Sequence, residues 1–149
     1  PMQLLDLSKN YKIKAFINTD SILNKNVSNY SLSKHHFSEW LKLFSKDFYC
    51  CNVKIEHFFG AQDDDTKFVI SIIKSFLNKS NTIKLTKGNQ TRDFIYIDDV
   101  VSAIKKILIH SLKQKSGFEV FEVGSGKNVT IKKIVMLIKR LCNNINTRL

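Results

Sequence analysis

Two hydrophobic periods alternate along the chain. Leu4, Leu5 and Leu7 read as the end of an amphipathic helix. The run IKAFINTD, residues 13–20, is apolar until Asn and Asp break it, and predicts a buried strand ending in a polar loop. Over residues 28–47, Leu32, Phe37, Trp40, Leu41 and Phe44 recur at helical spacing, with Ser28 or Asn29 as the cap. Residues 49–60 predict a strand ending at Gly60, and residues 68–79 a second amphipathic helix. TIKLT (82–86) predicts a short strand closed by a turn at Lys87-Gly88-Asn89. DFIYI (93–97) alternates as a strand. Asp98 or Asp99 then caps a helix to about residue 112, with Val100, Val101, Ile104, Ile107 and Leu108 inward. Residues 117–126 read as a strand with a Gly-Ser-Gly end, and Thr130 caps a last helix over 131–142. The terminal Asn-Thr-Arg-Leu is expected to fray. Strands alternate with helices throughout, which predicts an α/β fold with a mainly parallel sheet.

Composition narrows the class. The chain has 149 residues, 43% of them hydrophobic and 25% charged, enough for a globular domain with a core. No run approaches the ~18 apolar residues of a membrane span, and no secretory signal opens the chain. Cys50, Cys51 and Cys142 lack metal spacing, so no metal site is expected; they read as buried small hydrophobes in a reducing cytoplasm. The net charge of +11 favours a polyanionic partner, whether nucleic acid, anionic membrane or nucleotide. The lysines are scattered, however, which suits a solvated surface or a phosphate-bearing small substrate and gives no support to nucleic-acid binding.

One stretch carries candidate chemistry. In NYSLSKHHFSEW (29–40), Tyr30 precedes Lys34 by four residues, so both lie on one helix face. A phenol is a poor base at neutral pH, with an ordinary pKa of ~10. A cation one turn away stabilises phenolate, and makes tyrosine usable as an acid or base toward a sugar hydroxyl or ketone. Thr19, at the end of the preceding strand, is placed to hydrogen-bond the same oxygen. The spacing alone does not separate a catalytic pair from two polar residues on an ordinary helix.

The surrounding blocks do. INTDS, YSLSK, FFGAQ, TRDFIYIDDVV and FEVGSGKNVTI occur in the order found in the extended short-chain dehydrogenase/reductase family, which the chain resembles from about residue 3 to 140. RDFIYIDD (92–99) is the most specific block and VGSGKNVTI (123–131) the next. Within the family, the NTD…Y-x-L-S-K loop and EHFFGAQDDDTKF are most similar to CDP-abequose and CDP-paratose synthase-type members.

The resemblance implies the C-terminal part of a Rossmann-like NAD(P)-binding fold plus a small α/β substrate-binding region. Residues 1–55 would be the remnant of the dinucleotide-binding domain, and residues 56–149 mainly the nucleotide-sugar region interleaved with late Rossmann elements. It implies an NAD- or NADP-dependent epimerase, dehydratase or 4-reductase acting at C4 of a nucleotide sugar in O-antigen synthesis. Tyr30 would be the acid/base. Lys34 would hold the nicotinamide ribose and tune Tyr30, and Thr19 would match the active-site Ser/Thr. Arg92 would grip the diphosphate, Leu85 would lie beside the nucleotide base, and His57 would stand at a sugar contact. Asp93 and Asp99 would support structure.

Departures sharpen this. His57 stands where the family usually has Asn. Ser21 stands where 4,6-dehydratases carry an acid, which argues for a 4-reductase or an epimerase. No G-x-x-G-x-x-G turn occurs to cradle a dinucleotide pyrophosphate. The expectation is therefore a chain that begins inside the cofactor fold, with exposed sheet edges and poor stability alone, helped by a homodimer or a complementing N-terminal half. The alternative is a non-catalytic remnant that binds a nucleotide sugar or a partner protein.

Overall fold

The computed structural model describes residues 1–78 and 82–142. It divides into two compact units: Pro1–Glu56 with Asp98–Val123, and His57–Ile97 with the chain from Gly124 onward. In order, the elements are α1 (Met2–Asn10), β1 (Ala15–Ser21), α2 (Asn29–Phe44), β2 (Tyr49–Ile55), β3 (His57–Phe59), α3 (Phe68–Leu77), β4 (Thr91–Tyr96), α4 (Ile97–Ser111), β5 (Gly117–Val123), β6 (Asn128–Thr130) and α5 (Ile131–Leu141).

The first unit is built on a parallel sheet in the order β1-β2-β5. Its central strand, β2, is buried from Tyr49 to Val53, as a strand covered on both faces must be. Leu5, Leu41, Phe48 and Cys50 form a core cluster against which Phe16, Phe37, Phe44 and Phe118 pack. β1 is half-exposed where a buried strand was expected, and among the described residues it pairs with β2 alone. On α2, Leu41 is buried but Leu32 and Trp40 are exposed; two serines, Ser31 and Ser38, take inward positions instead.

The second unit holds a small mixed sheet in the order β3-β4-β6, with β3 parallel and β6 antiparallel to β4. Its core is Val69, Ile72 and Phe76 of α3, Ile83, and Val135 and Ile138 of α5. Gly60 closes β3, where a Cβ would collide with the Ile97 side chain, so glycine is required there. Gly88 takes φ +70° in the expected turn, and the backbone of Gln90 and Gly88 accepts from the first residues of α5.

Several boundaries differ from expectation. The strand expected over 49–60 is two strands in two sheets, divided at Glu56, whose N–H donates to the Val123 carbonyl. Residues 83–86 form no strand, although Ile83 is buried. β6 was not anticipated. α4 begins at Ile97, so Asp98 and Asp99 lie inside its first turn, where their charges favour the helix N-terminus without capping it. Val101 and Leu108 of α4 are exposed. Thr130 caps α5 as expected, accepting from Lys133 N–H at 3.2 Å. The expected fraying at 146–149 and helix end at 79 lie outside the described residues. Among the described residues no helix is long and apolar enough to cross a membrane.

Candidate active site

The start of α2 is fixed locally. Ser28 Oγ accepts from Ser31 N–H at 3.2 Å, and Ser31 Oγ accepts from Ser28 N–H at 3.0 Å, a reciprocal cap with serine in the place glutamate usually takes. Tyr30 sits inside this capped turn and is 56% exposed. One turn on, Lys34 Nζ donates to the Thr19 carbonyl at 2.7 Å and lies 5.7 Å from the centre of the Tyr30 ring. The first unit therefore brings Thr19, Tyr30 and Lys34 together through the lysine. The link to Thr19 is its backbone carbonyl. Among the described residues no hydrogen bond joins the Thr19 hydroxyl to the Tyr30 phenol.

A buried network lies beside this group, and sequence reasoning missed it. Asn52 of β2 is fully buried. Its Nδ2 donates to Asp20 Oδ2 at 2.7 Å and to Ser38 Oγ at 3.1 Å, and its Oδ1 accepts from Asn18 Nδ2 at 2.7 Å. The available signal was a lone Asn inside the apolar run YCCNVKI. A cavity of about 510 Å³ opens next to Asp20 and Ser38, lined also by His35, Lys54, Val120 and Glu122; Thr19, Tyr30 and Lys34 do not line it.

The other expected contacts belong to the second unit. Arg92 lies on β4, exposed, with one guanidinium nitrogen on the Thr91 carbonyl at 2.7 Å. A guanidinium has five N–H donors, so most of this fork is directed to solvent or a ligand. His57 begins β3 opposite Phe94, with ring centres 5.9 Å apart. Leu85 is 38% exposed in an irregular segment.

Next to Arg92, Asp93 is buried and accepts from Ser125 N–H at 3.0 Å, the Ser125 hydroxyl, and Gly126 N–H at 2.8 Å. Burial alone raises its pKa. Hydrogen bonds from Ser125, Gly126 and Lys127 outweigh that and hold the carboxyl below its ordinary value. Asp93 thus ties β4 to the Gly-Ser-Gly loop, the supporting role expected of it. Among the described residues no cluster of His, Cys, Asp and Glu is arranged to hold a metal.

The donor set at α2 fits one end of a dinucleotide. An ammonium has three N–H donors, and the Thr19 carbonyl uses one, leaving two for ribose hydroxyls. The fit extends no further, since no glycine-rich turn for a pyrophosphate occurs in the sequence.

Known proteins match most of this chain. The NAD dependent epimerase/dehydratase family matches residues 6–124. CDP-abequose synthase of Salmonella typhimurium is 34% identical over 147 residues, covering 93% of this chain and 49% of that protein. CDP-abequose synthase of Salmonella muenchen is 38% identical over 153 residues, covering 94% and 50%. Among solved structures, UDP-glucuronic acid 4-epimerase from Bacillus cereus in complex with NAD superposes with a TM-score of 0.85 at 22% identity, covering 98% of this chain and 52% of that one. UDP-glucose 4-epimerase from Thermotoga maritima, with UDP-glucose, gives a TM-score of 0.80 at 20% identity, covering 97% and 52%. These likenesses show a Rossmann-like α/β fold. The chain spans about half the length of the relatives it matches. With a family match across most of its length and relatives above 30% identity, the chain belongs to the NAD dependent epimerase/dehydratase family.

Proposed function

We propose that this chain carries the proton-transfer residues and the substrate-binding region of an enzyme that reduces, oxidises or epimerises C4 of a nucleotide-activated sugar for surface-polysaccharide (O-antigen) synthesis. The observation that carries the proposal is the Lys34 ammonium, bonded to Thr19 and one turn from Tyr30, in a chain of this family. NAD or NADP, when bound, supplies or accepts the hydride at C4. The chain's own residues do the rest. Tyr30 gives or takes the proton at the C4 oxygen, and the Thr19 hydroxyl polarises that oxygen. Lys34 orients the ribose through its two remaining donors.

Arg92 holds the diphosphate, since a planar, permanently charged fork suits paired phosphate oxygens. Leu85 offers apolar surface to the nucleotide base, and His57 contacts the sugar. Ser21 in place of an acid supports a reductase or epimerase over a dehydratase. In this reading residues 1–55 belong to the dinucleotide-binding domain, and residues 56–149 mainly to the substrate region, interleaved with late Rossmann elements. The protein works in the cytoplasm as a homodimer or with a complementing N-terminal half. A second reading, a non-catalytic chain that binds nucleotide sugar or a partner protein, is favoured by the lack of a glycine-rich turn within these residues.

Calorimetric titration of the purified chain with NAD+, NADP+ and CDP- and UDP-sugars tests both. Nucleotide-sugar binding that Arg92→Ala weakens is expected, with little cofactor binding. Absence of nucleotide-sugar binding overturns the substrate assignment. Micromolar cofactor binding shows that the chain completes its cofactor site without a glycine-rich turn.

A further inference from the structure

We propose that Asn52 is a positioning residue that sets the strand end bearing Thr19 against the helix bearing Tyr30 and Lys34. The inference rests on the reading of those three residues as the reactive group. Asn52 lies in mid-strand between Cys51 and Val53, and all three are 0% exposed. An apolar side chain would fill such a place at lower cost, because a buried carboxamide is expensive unless its donors and acceptor are met. Here both donors and the oxygen are met, by three different residues. The orientation of the amide follows from chemistry: the Asp20 carboxylate can only accept, so the nitrogen faces it.

The places of those partners carry the inference. Asn18 and Asp20 are the residues on either side of Thr19, and Asn52 holds both. Asn18 and Asn52 are register partners, so the two amides meet directly across the β1–β2 pair. Ser38 is four residues beyond Lys34 on α2, one turn further along the same face. The strand end and the helix are thus joined twice. One link is the Lys34 bond to the Thr19 carbonyl, and the other runs from Asp20 and Asn18 through Asn52 to Ser38. A fully satisfied buried network specifies one arrangement among the several that apolar packing would tolerate. Here the arrangement it specifies is the separation of Thr19 from Tyr30 and Lys34.

An exchange of partners tests this. Asn52→Asp sets two carboxylates against each other and removes both donors. Combining it with Asp20→Asn restores one donor and one acceptor in the opposite sense. The readout is the side-chain ammonium resonance of Lys34 in proton–nitrogen NMR spectra of the whole chain, with thermal melts alongside. The single variant is expected to shift that resonance and to speed its proton exchange with water several-fold. The double variant is expected to return it toward the unsubstituted position. A melt that falls and recovers while the Lys34 resonance stays in place overturns the proposal. Should Asn52→Asp fail to fold, Ser38→Ala cuts only the helix arm, and an unmoved Lys34 resonance in that variant overturns it equally. The nucleotide-sugar titration is independent of this readout. No binding there, with a Lys34 resonance that follows position 52, removes the functional reading and leaves the positioning intact.

Discussion

Asp93 is buried but surrounded by donors, and the balance between those two facts sets its own contribution to the protein's response to acid. Desolvation opposes its charge, while the Ser125 hydroxyl and the N–H groups of Ser125 and Gly126 are spent on it. The net effect holds its folded pKa below the ordinary value, with burial as the largest opposing contribution and the hydrogen bonds prevailing together. The sign of the linkage follows. The unfolded chain binds the proton more readily, so the stability from Asp93 is fully present above the unfolded value of ~3.9 and is lost as pH falls through the lower folded value. Asp93→Asn keeps the shape, removes the charge and leaves donors in the Gly-Ser-Gly loop poorly met. It is expected to cost about 1–3 kcal/mol at neutral pH. Urea unfolding at pH 7 and at several points below pH 4 checks both parts. The unsubstituted chain should lose stability toward acid, and the variant should start lower and lose less over the same interval. Parallel acid limbs for the two proteins would show that Asp93 is not linked to folding.

The capped first turn of α2 decides how well Tyr30 is held. Two serines satisfy each other's backbone N–H groups there, and Tyr30 lies between them in sequence. Ser28→Ala removes one acceptor and is expected to cost about 1 kcal/mol. Its diagnostic effect is local: amide hydrogen exchange should quicken at Tyr30 and Ser31 and stay unchanged in α5, and uniform acceleration would instead mean global destabilisation. The cap at Ser28 or Asn29 and the cap at Thr130 were legible in the sequence, though not the reciprocal bond from Ser31. So were α2, α3, α4 and α5, from the periodicity of their apolar residues. What escaped depends on distant partners. β6 is three residues that become a strand only by pairing with Thr91, Arg92 and Asp93. TIKLT has strand-like composition, but residues 83–86 form no strand. The run from Tyr49 to Gly60 looks continuous, and only the change of neighbour at Glu56 divides it. At the candidate site, spacing raised Tyr30 and Lys34 as a pair and a strand end raised Thr19, and only the resemblance of the surrounding blocks made them candidates. Asn52 escaped, because its importance comes from Asn18, Asp20 and Ser38 converging on it from two other elements.

At the scale of the molecule, three thiols report on two units. Cys50 and Cys51 are 0% exposed in the central strand of the first unit, whereas Cys142 is partly exposed in the second. Burial pushes the Cys50 thiol up to about 12, with the neighbouring Cys51 adding to it. Burial also raises Cys51, against the lowering effect of a hydrogen bond with Ser111. Thiolate is the reacting form, so both central thiols are doubly protected at neutral pH, by exclusion of reagent and by protonation. One thiol of the native chain should therefore react quickly with an aromatic disulfide, and two slowly. In denaturant all three should react quickly together. When the strand recloses faster than the reagent attacks, the slow rate divided by the denatured rate gives the population of open first unit. That ratio bears directly on whether this chain holds its fold alone, since among the described residues β1 pairs with β2 alone. A small ratio means the cluster of Leu5, Leu41, Phe48 and Cys50 closes the unit despite that edge. Fast reaction of all three thiols would mean the edge defeats the core, and that Thr19 and Lys34 are brought together only when another strand covers β1.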